Sequence, residues 1–140
     1  MDALGRLFNI LPVAQDVFFN VTGCGNVCFV GVLAAGDTWT LSEATAASGG
    51  TEAELAVITK SYVQATGTGA DVWVKLTQAA AAAEVTTSAQ DAVVIEVDTT
   101  ALSAGFDFLK LASTSTGTVT AILTDLSVQR KPENLPALGS

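Results

Sequence analysis

Short runs of alternating apolar and polar residues, separated by turn-forming clusters, extend along most of this chain. From Val13 onward the runs recur at intervals of roughly 8 to 15 residues, a spacing typical of a β-sandwich or barrel. The strongest strand is predicted for 92–98, and residues 119–128 alternate between two faces in the same way. Because the chain offers about seven to nine strands, we predict an all-β domain of two packed antiparallel sheets.

Two of the runs form a candidate hairpin in the first quarter of the chain. Residues 17–21 and 27–33 are rich in Val and Phe, and they flank a turn predicted at 23–26. Further strands are predicted at 38–41, 72–77 and 106–111.

Three segments carry mixed signals. Residues 44–54 are predicted as a loop that ends in a capping box, with Thr51 as the N-cap and Glu54 three residues later. Residues 55–63 fit both helical and strand spacing, and we favour a brief helical turn that leads into a strand. The alanines at 79–83 favour a helix by propensity but are too few to form one alone, so we predict a short connection.

The two ends of the chain differ from its middle. We predict an N-terminal arm at 1–12, a β-sandwich domain at 13–128 and an extended C-terminal tail at 129–140, which contains two prolines. A frayed terminus and a docked tail both remain open, since the tail's leucines are stabilising only where they are buried. The first residues lack the pattern of a signal peptide, so we expect an unprocessed chain made in the cytoplasm.

The composition predicts an unusually neutral surface. The chain is 49% hydrophobic and only 14% charged, against about 25% charged residues in typical soluble domains. Such a surface suits contact with another protein, although a secreted β-domain with a Thr-rich exterior is an alternative. The net charge of −8 disfavours nucleic acid and anionic membranes as partners, and no run of eighteen apolar residues predicts a membrane span.

The inventory of reactive side chains argues against catalysis. The chain has no histidine, which removes the usual general base and the commonest metal ligand. Glu96 and Asp98 share one strand face, but they lack both an opposing carboxylate and a converging loop, so a solvated strand edge is favoured. Cys24 and Cys28 cannot complete a zinc site, and we favour small buried side chains over a disulfide. We therefore expect no enzymatic activity, no cofactor and no bound metal.

Three aromatic residues leave a binding role open. Trp39, Tyr62 and Trp73 could form a platform for a sugar ring, as in carbohydrate-binding modules. Aromatic residues scattered over a β-sandwich more often serve as core or interface anchors, and we favour that interpretation.

Several segments of the chain resemble small head decoration proteins, also called cement proteins, of tailed bacteriophages. The resemblance lies in the run AVVIEVDTTALSAGFDFLKL at 92–111 and in DLSVQRKPENLPA at 125–137. The segments 23–44 and 55–62 are similar as well, so the resemblance covers most of the chain.

The resemblance implies a structural role in the virion. It implies a β-sandwich or jelly roll, often a trimer, that binds the outer surface of the capsid and stabilises contacts between major capsid subunits. Candidate contact residues for a neighbouring subunit or the capsid are Leu7, Phe8, Ile10, Leu11, Arg130, Lys131, Leu135 and Leu138. A tail-fibre or other tail-associated β-domain, and a carbohydrate-binding module, are the alternatives.

Overall fold

The computed structural model describes residues 8–13, 16–32, 36–55, 60–64, 72–78, 82–87, 92–114 and 118–127. Its eleven strands are β1 (Phe8–Val13), β2 (Phe19–Asn20), β3 (Asn26–Val32), β4 (Asp37–Ala46), β5 (Gly49–Glu54), β6 (Lys60–Gln64), β7 (Val74–Leu76), β8 (Glu84–Thr87), β9 (Ala92–Asp98), β10 (Phe108–Ser113) and β11 (Thr118–Thr124). The described residues contain one 3₁₀ turn, Thr99–Ala101, and no helix that is long and apolar enough to cross a membrane.

The strands form two antiparallel sheets that pack as a sandwich, which confirms the predicted all-β fold. The larger sheet has six strands in the order β1-β11-β3-β9-β6-β7. The smaller sheet has the order β2-β10-β4-β5, and β8 pairs with the first half of β4. Successive strands often lie in opposite sheets, so the chain crosses the sandwich repeatedly.

Alternation along the strands builds the core between the two sheets. In β3, β9 and β11 every second residue is buried, and these residues meet the buried positions of β4 and β10. Trp39 is fully buried, and its ring lies against β3 at Gly31. A Cβ at Gly31 would lie 3.0 Å from the Trp39 ring and 2.9 Å from Val93 Cγ1, so glycine at this position makes room for the indole.

Two local predictions near the turns are wrong. The hairpin predicted from 17–21 and 27–33 does not form, because β2 pairs with β10 in the smaller sheet while β3 pairs with β9 and β11 in the larger one. The loop and capping box predicted at 44–54 are instead the hairpin of β4 and β5. Its reversal uses Gly49 and Gly50 at φ values of 93° and 55°, and β5 then carries Thr51 and Glu54 as strand residues.

The predicted N-terminal arm is also corrected. Residues 8–12 belong to β1, which pairs with β11 along its whole length at the edge of the larger sheet. Leu11 and Val13 pack against the core, and Pro12 is tolerated because an edge strand leaves one side of its backbone unpaired. The β-structure therefore begins by residue 8 rather than 13. Residues 1–7 and the predicted tail at 129–140 lie outside the described residues.

The other strand predictions hold with shifted ends. The strand at 92–98 is β9, and the strand at 119–128 is β11, which ends at Thr124 before Asp125 adopts a φ of 53°. The strands at 38–41, 72–77 and 106–111 correspond to β4, β7 and β10. The helical turn predicted before β6 and most of the alanine run fall outside the described residues.

Candidate interaction surface

The outer face of the larger sheet carries an apolar patch that extends over five of its six strands. Residues that alternate with the core positions of this sheet point away from the smaller sheet, and in a sandwich such positions are usually polar. Here they include Phe8, Ile10, Pro12, Cys28, Val30, Val32, Tyr62, Ala92, Val94 and Ile122. Val32 is 62% exposed and Ile10 is 43% exposed. We call this set of residues the apolar face.

Strand register makes the apolar face continuous. Ile10 lies opposite Ile122, which in turn lies opposite Cys28. In the adjacent row, Val30 lies opposite Val94, which lies opposite Tyr62. Side chains directly opposite each other on one face of a sheet are in contact distance, so the rows form one surface across β1, β11, β3, β9 and β6.

A small polar cluster borders the apolar face at one end of the strands. Asn26, Lys60, Glu96 and Asp98 line a shallow depression there, and Lys60 lies opposite Glu96 in register. Thr100 donates from Oγ1 and N to Asp98 Oδ1 at 2.7 and 2.9 Å, and together with the charge of Lys60 these bonds hold the pKa of Asp98 below its usual range. Asp98 thereby caps the 3₁₀ turn.

The outer face of the smaller sheet has a different character. Its outward positions on β5 and β8 carry Glu52, Glu54 and Glu84, and those on β4 are Thr, Ser and Ala. The Nζ atom of Lys110 lies 2.5 Å from Glu52 Oε1 and 4.5 Å from the centroid of the Phe18 ring. Among the described outward residues, this face therefore carries three glutamates against one lysine and is the more acidic of the two outer faces.

The predicted contact residues on β1 lie in different environments. Phe8 and Ile10 lie on the outward side of β1, at the border of the apolar face, whereas Leu11 packs partly buried against the core. The remaining predicted contacts, Leu7, Arg130, Lys131, Leu135 and Leu138, lie outside the described residues.

The two cysteines are free thiols in different surroundings. Cys24 is buried in the core and donates to the carbonyl of Val21 at 3.1 Å, and burial raises its pKa to about 11. Cys28 lies on the apolar face, where burial and the charge of Glu96 raise its pKa. Since low thiol pKa values favour reactivity, neither cysteine has the environment of a nucleophile.

The aromatic residues do not form one platform. Trp39 is fully buried in the core, whereas Trp73 is 47% exposed beside β7 and Tyr62 is partly exposed on the apolar face. A sugar ring stacks on exposed aromatic faces, so Trp39 is not available to one.

Two carboxylates on β4 are buried, and the sequence patterns predict a functional role for neither. Asp37 accepts hydrogen bonds from Ser113 Oγ at 2.6 Å, Thr114 N at 2.7 Å and Thr114 Oγ1 at 2.8 Å. Glu43 accepts from Ser103 N at 2.8 Å and Ser103 Oγ at 2.5 Å. Each fixes a chain segment against β4, and the described residues contain no cluster of His, Cys, Asp or Glu that could hold a metal ion.

Comparisons of the chain with protein-family models, with curated proteins and with solved structures find no match.

Proposed function

We propose that this chain is a structural virion protein, a decoration or cement protein that binds the outer surface of a tailed-phage head and stabilises contacts between major capsid subunits. The observation that carries the proposal is the apolar face, in which Val30, Val94 and Ile122 form an outward surface with little charge. Interface cores are depleted in charge and are more apolar than the surrounding surface. A sandwich with such a face suits a subunit of an assembly.

The strand order supports a jelly roll, a fold found in viral capsid proteins among others. Eight strands form two four-stranded groups, β1-β11-β3-β9 in the larger sheet and β2-β10-β4-β8 in the smaller. In both groups strands from the two halves of the chain alternate, as in two nested Greek keys. The remaining strands, β5, β6 and β7, form an insertion between β4 and β8: β5 pairs with the second half of β4, and β6 and β7 widen the larger sheet.

The proposed action is mechanical. A closed shell contains many copies of each contact, so even a modest interface per copy stabilises the whole particle against the pressure of packaged DNA. In this proposal the C-terminal segment, with Arg130, Lys131, Leu135 and Leu138, contacts the major capsid protein, whereas Phe8 and Ile10, which belong to the apolar face, contact a neighbouring copy. The resemblance favours a homo-oligomer, with three copies as the expected number.

Binding to isolated phage heads tests the proposal. Purified protein is mixed with heads that lack their own decoration protein, and co-sedimentation and heat resistance of the particles are measured. We expect binding and a higher temperature of particle disruption. Failure to co-sediment would overturn the capsid function. Cryo-electron microscopy of virions gives a second test. Density for this protein on the head would support decoration, and density confined to the tail would contradict it.

Deletion of 130–140 tests the part of the proposal that concerns the tail. We expect weaker binding to heads, because the deletion removes the basic pair and the apolar residues together. The variant Leu135→Ser/Leu138→Ser keeps the length and charge of the tail, and its binding shows whether the apolar side chains are required. Undiminished binding of the deletion variant would exclude a role for this segment.

A further inference from the structure

The outer face of the larger sheet, which contains the apolar face and the polar residues beside it, is large enough to form a protein interface by itself. Six strands about 4.8 Å apart, up to seven residues long at about 3.3 Å per residue, span roughly 600 Å². A specific interface buries at least about 1,000 Å² in total, or about 500 Å² on each side. The face meets this requirement without a contribution from the termini.

The charge of this side of the sandwich is balanced, in contrast to that of the whole chain. Among the described outward residues of the larger sheet, the positive charges of Lys60 and Lys75 balance the negative charges of Glu96 and Asp98. The whole chain has 14 acidic and 6 basic residues. Surfaces of like charge repel when they are brought together. Two copies that meet through this side bring no net charge into contact and keep the acidic face of the smaller sheet outside.

We propose that the apolar face is the contact between copies of this chain. A basic partner would be attracted to the outer face of the smaller sheet instead, since that face carries Glu52, Glu54 and Glu84 against Lys110. A flat, apolar and neutral surface is best complemented by another of the same kind, and every copy carries one. This inference rests on the proposed function only in that it expects copies of the chain to associate, since like faces join two copies whereas the resemblance implies three. It is tested on the isolated protein without phage heads.

Val30 lies near the centre of the apolar face, opposite Thr120 on one side and Val94 on the other. Val30→Lys places an ammonium group inside the proposed contact, where an unpaired buried charge costs several kcal/mol. We expect the dissociation constant of the oligomer to rise about a hundredfold or more, which corresponds to that cost. Thr40→Lys is the matched control, because Thr40 is also partly exposed on a central strand but lies on the outer face of the smaller sheet.

Sedimentation equilibrium of the full chain and both variants tests the proposal. We expect the unmodified protein to have the mass of two chains, because a contact between identical faces is two-fold and closes at two copies. We expect Val30→Lys to have the mass of one chain and Thr40→Lys to match the unmodified protein. Far-ultraviolet circular dichroism checks that each variant is folded. A monomeric unmodified protein, or an oligomer that Val30→Lys leaves intact, would overturn the proposal. Binding to heads is scored separately, so the capsid function can fail while this contact stands, and the reverse.

A milder variant covers the case in which Val30→Lys does not fold. Val30→Thr/Val94→Thr keeps the β-branched shape that suits strands while it removes apolar surface from the contact. We expect a rise of about tenfold in the dissociation constant. The thiol of Cys28, which lies on the same face, supplies an independent readout. Its alkylation should be slower in the oligomer than after dilution to monomers, and equal rates would contradict the proposal.

Discussion

Asp37 offers the most direct test of how the smaller sheet is held together. Its side chain is only 3% exposed and sits at the start of β4, where it accepts hydrogen bonds from Ser113 and Thr114 at the end of β10. Asp37→Ala removes all three bonds but leaves the backbone pairing of the two strands available. The substitution therefore measures what one buried carboxylate contributes to the closing of this sheet.

The magnitude follows from the bonds that are lost. A hydrogen bond to a charged group contributes about 1.5–3 kcal/mol net. Thr114 is exposed, so water can replace the carboxylate at its two donors, whereas Ser113 is half-buried. We therefore expect Asp37→Ala to lower the free energy of unfolding by about 3 kcal/mol. For 140 residues the unfolding entropy is about 0.3 kcal/mol/K, so the melting temperature should fall by about 10 °C.

Urea unfolding and thermal melting followed by circular dichroism measure this loss. Asp107→Ala is the matched control, because Asp107 is an exposed aspartate just before β10 and its removal should change stability by no more than about 0.5 kcal/mol. Combining Asp37→Ala with Ser113→Ala should cost less than the sum of the two single changes, since both remove the same bond. Equal midpoints for Asp37→Ala and Asp107→Ala would refute the reasoning.

Three further outcomes test other parts of the chain. Burial alone would raise the pKa of Asp37, but its hydrogen bonds hold the pKa below the usual 3.8. The protein should therefore lose stability as the pH falls below about 4. In urea titrations, the free energy of unfolding of Asp37→Asn should fall less steeply over this acid range than that of the unmodified protein. Gly31→Ala should cost about 1–3 kcal/mol in thermal melting, because the new Cβ crowds Val93 and Trp39. Cys24, with a pKa of about 11, should resist iodoacetamide at neutral pH until urea unfolds the chain, and fast native labelling detected by mass spectrometry would contradict its burial.

The sequence predicted strands well where alternation is regular and pairing poorly where it depends on distant residues. The strand at 92–98 alternates without interruption, and β9 forms there with its odd-numbered residues buried. The pairing of β2 cannot be read from 17–33, because its partner β10 lies almost 90 residues further along the chain. A hairpin was predicted since local pairing is the commonest solution, but the sandwich uses the turn at 23–26 to change sheets.

The buried carboxylates show a second limit of sequence reasoning. Asp37 and Glu43 occupy the same alternating positions in β4 as Trp39 and Leu41, which is the one local signal that they point inward. A carboxylate at a core position is expected only where donors compensate for its burial. Those donors lie 60 residues away in Ser103 and more than 70 residues away in β10, so only the folded chain shows why the pattern is tolerated.

An apolar outer face exposes a β-protein to uncontrolled association, and the edges of the larger sheet limit the form that association can take. Exposed edge strands recruit further strands, and short strands and proline at the edge oppose this. One edge of this sheet is β1, which contains Pro12, and the other is β7, which has three residues. Because both edges are poor templates for strand addition, the edges do not compete with the contact through the flat face that we propose. Face contact ends once each copy is covered, which suits a closed oligomer rather than a fibre.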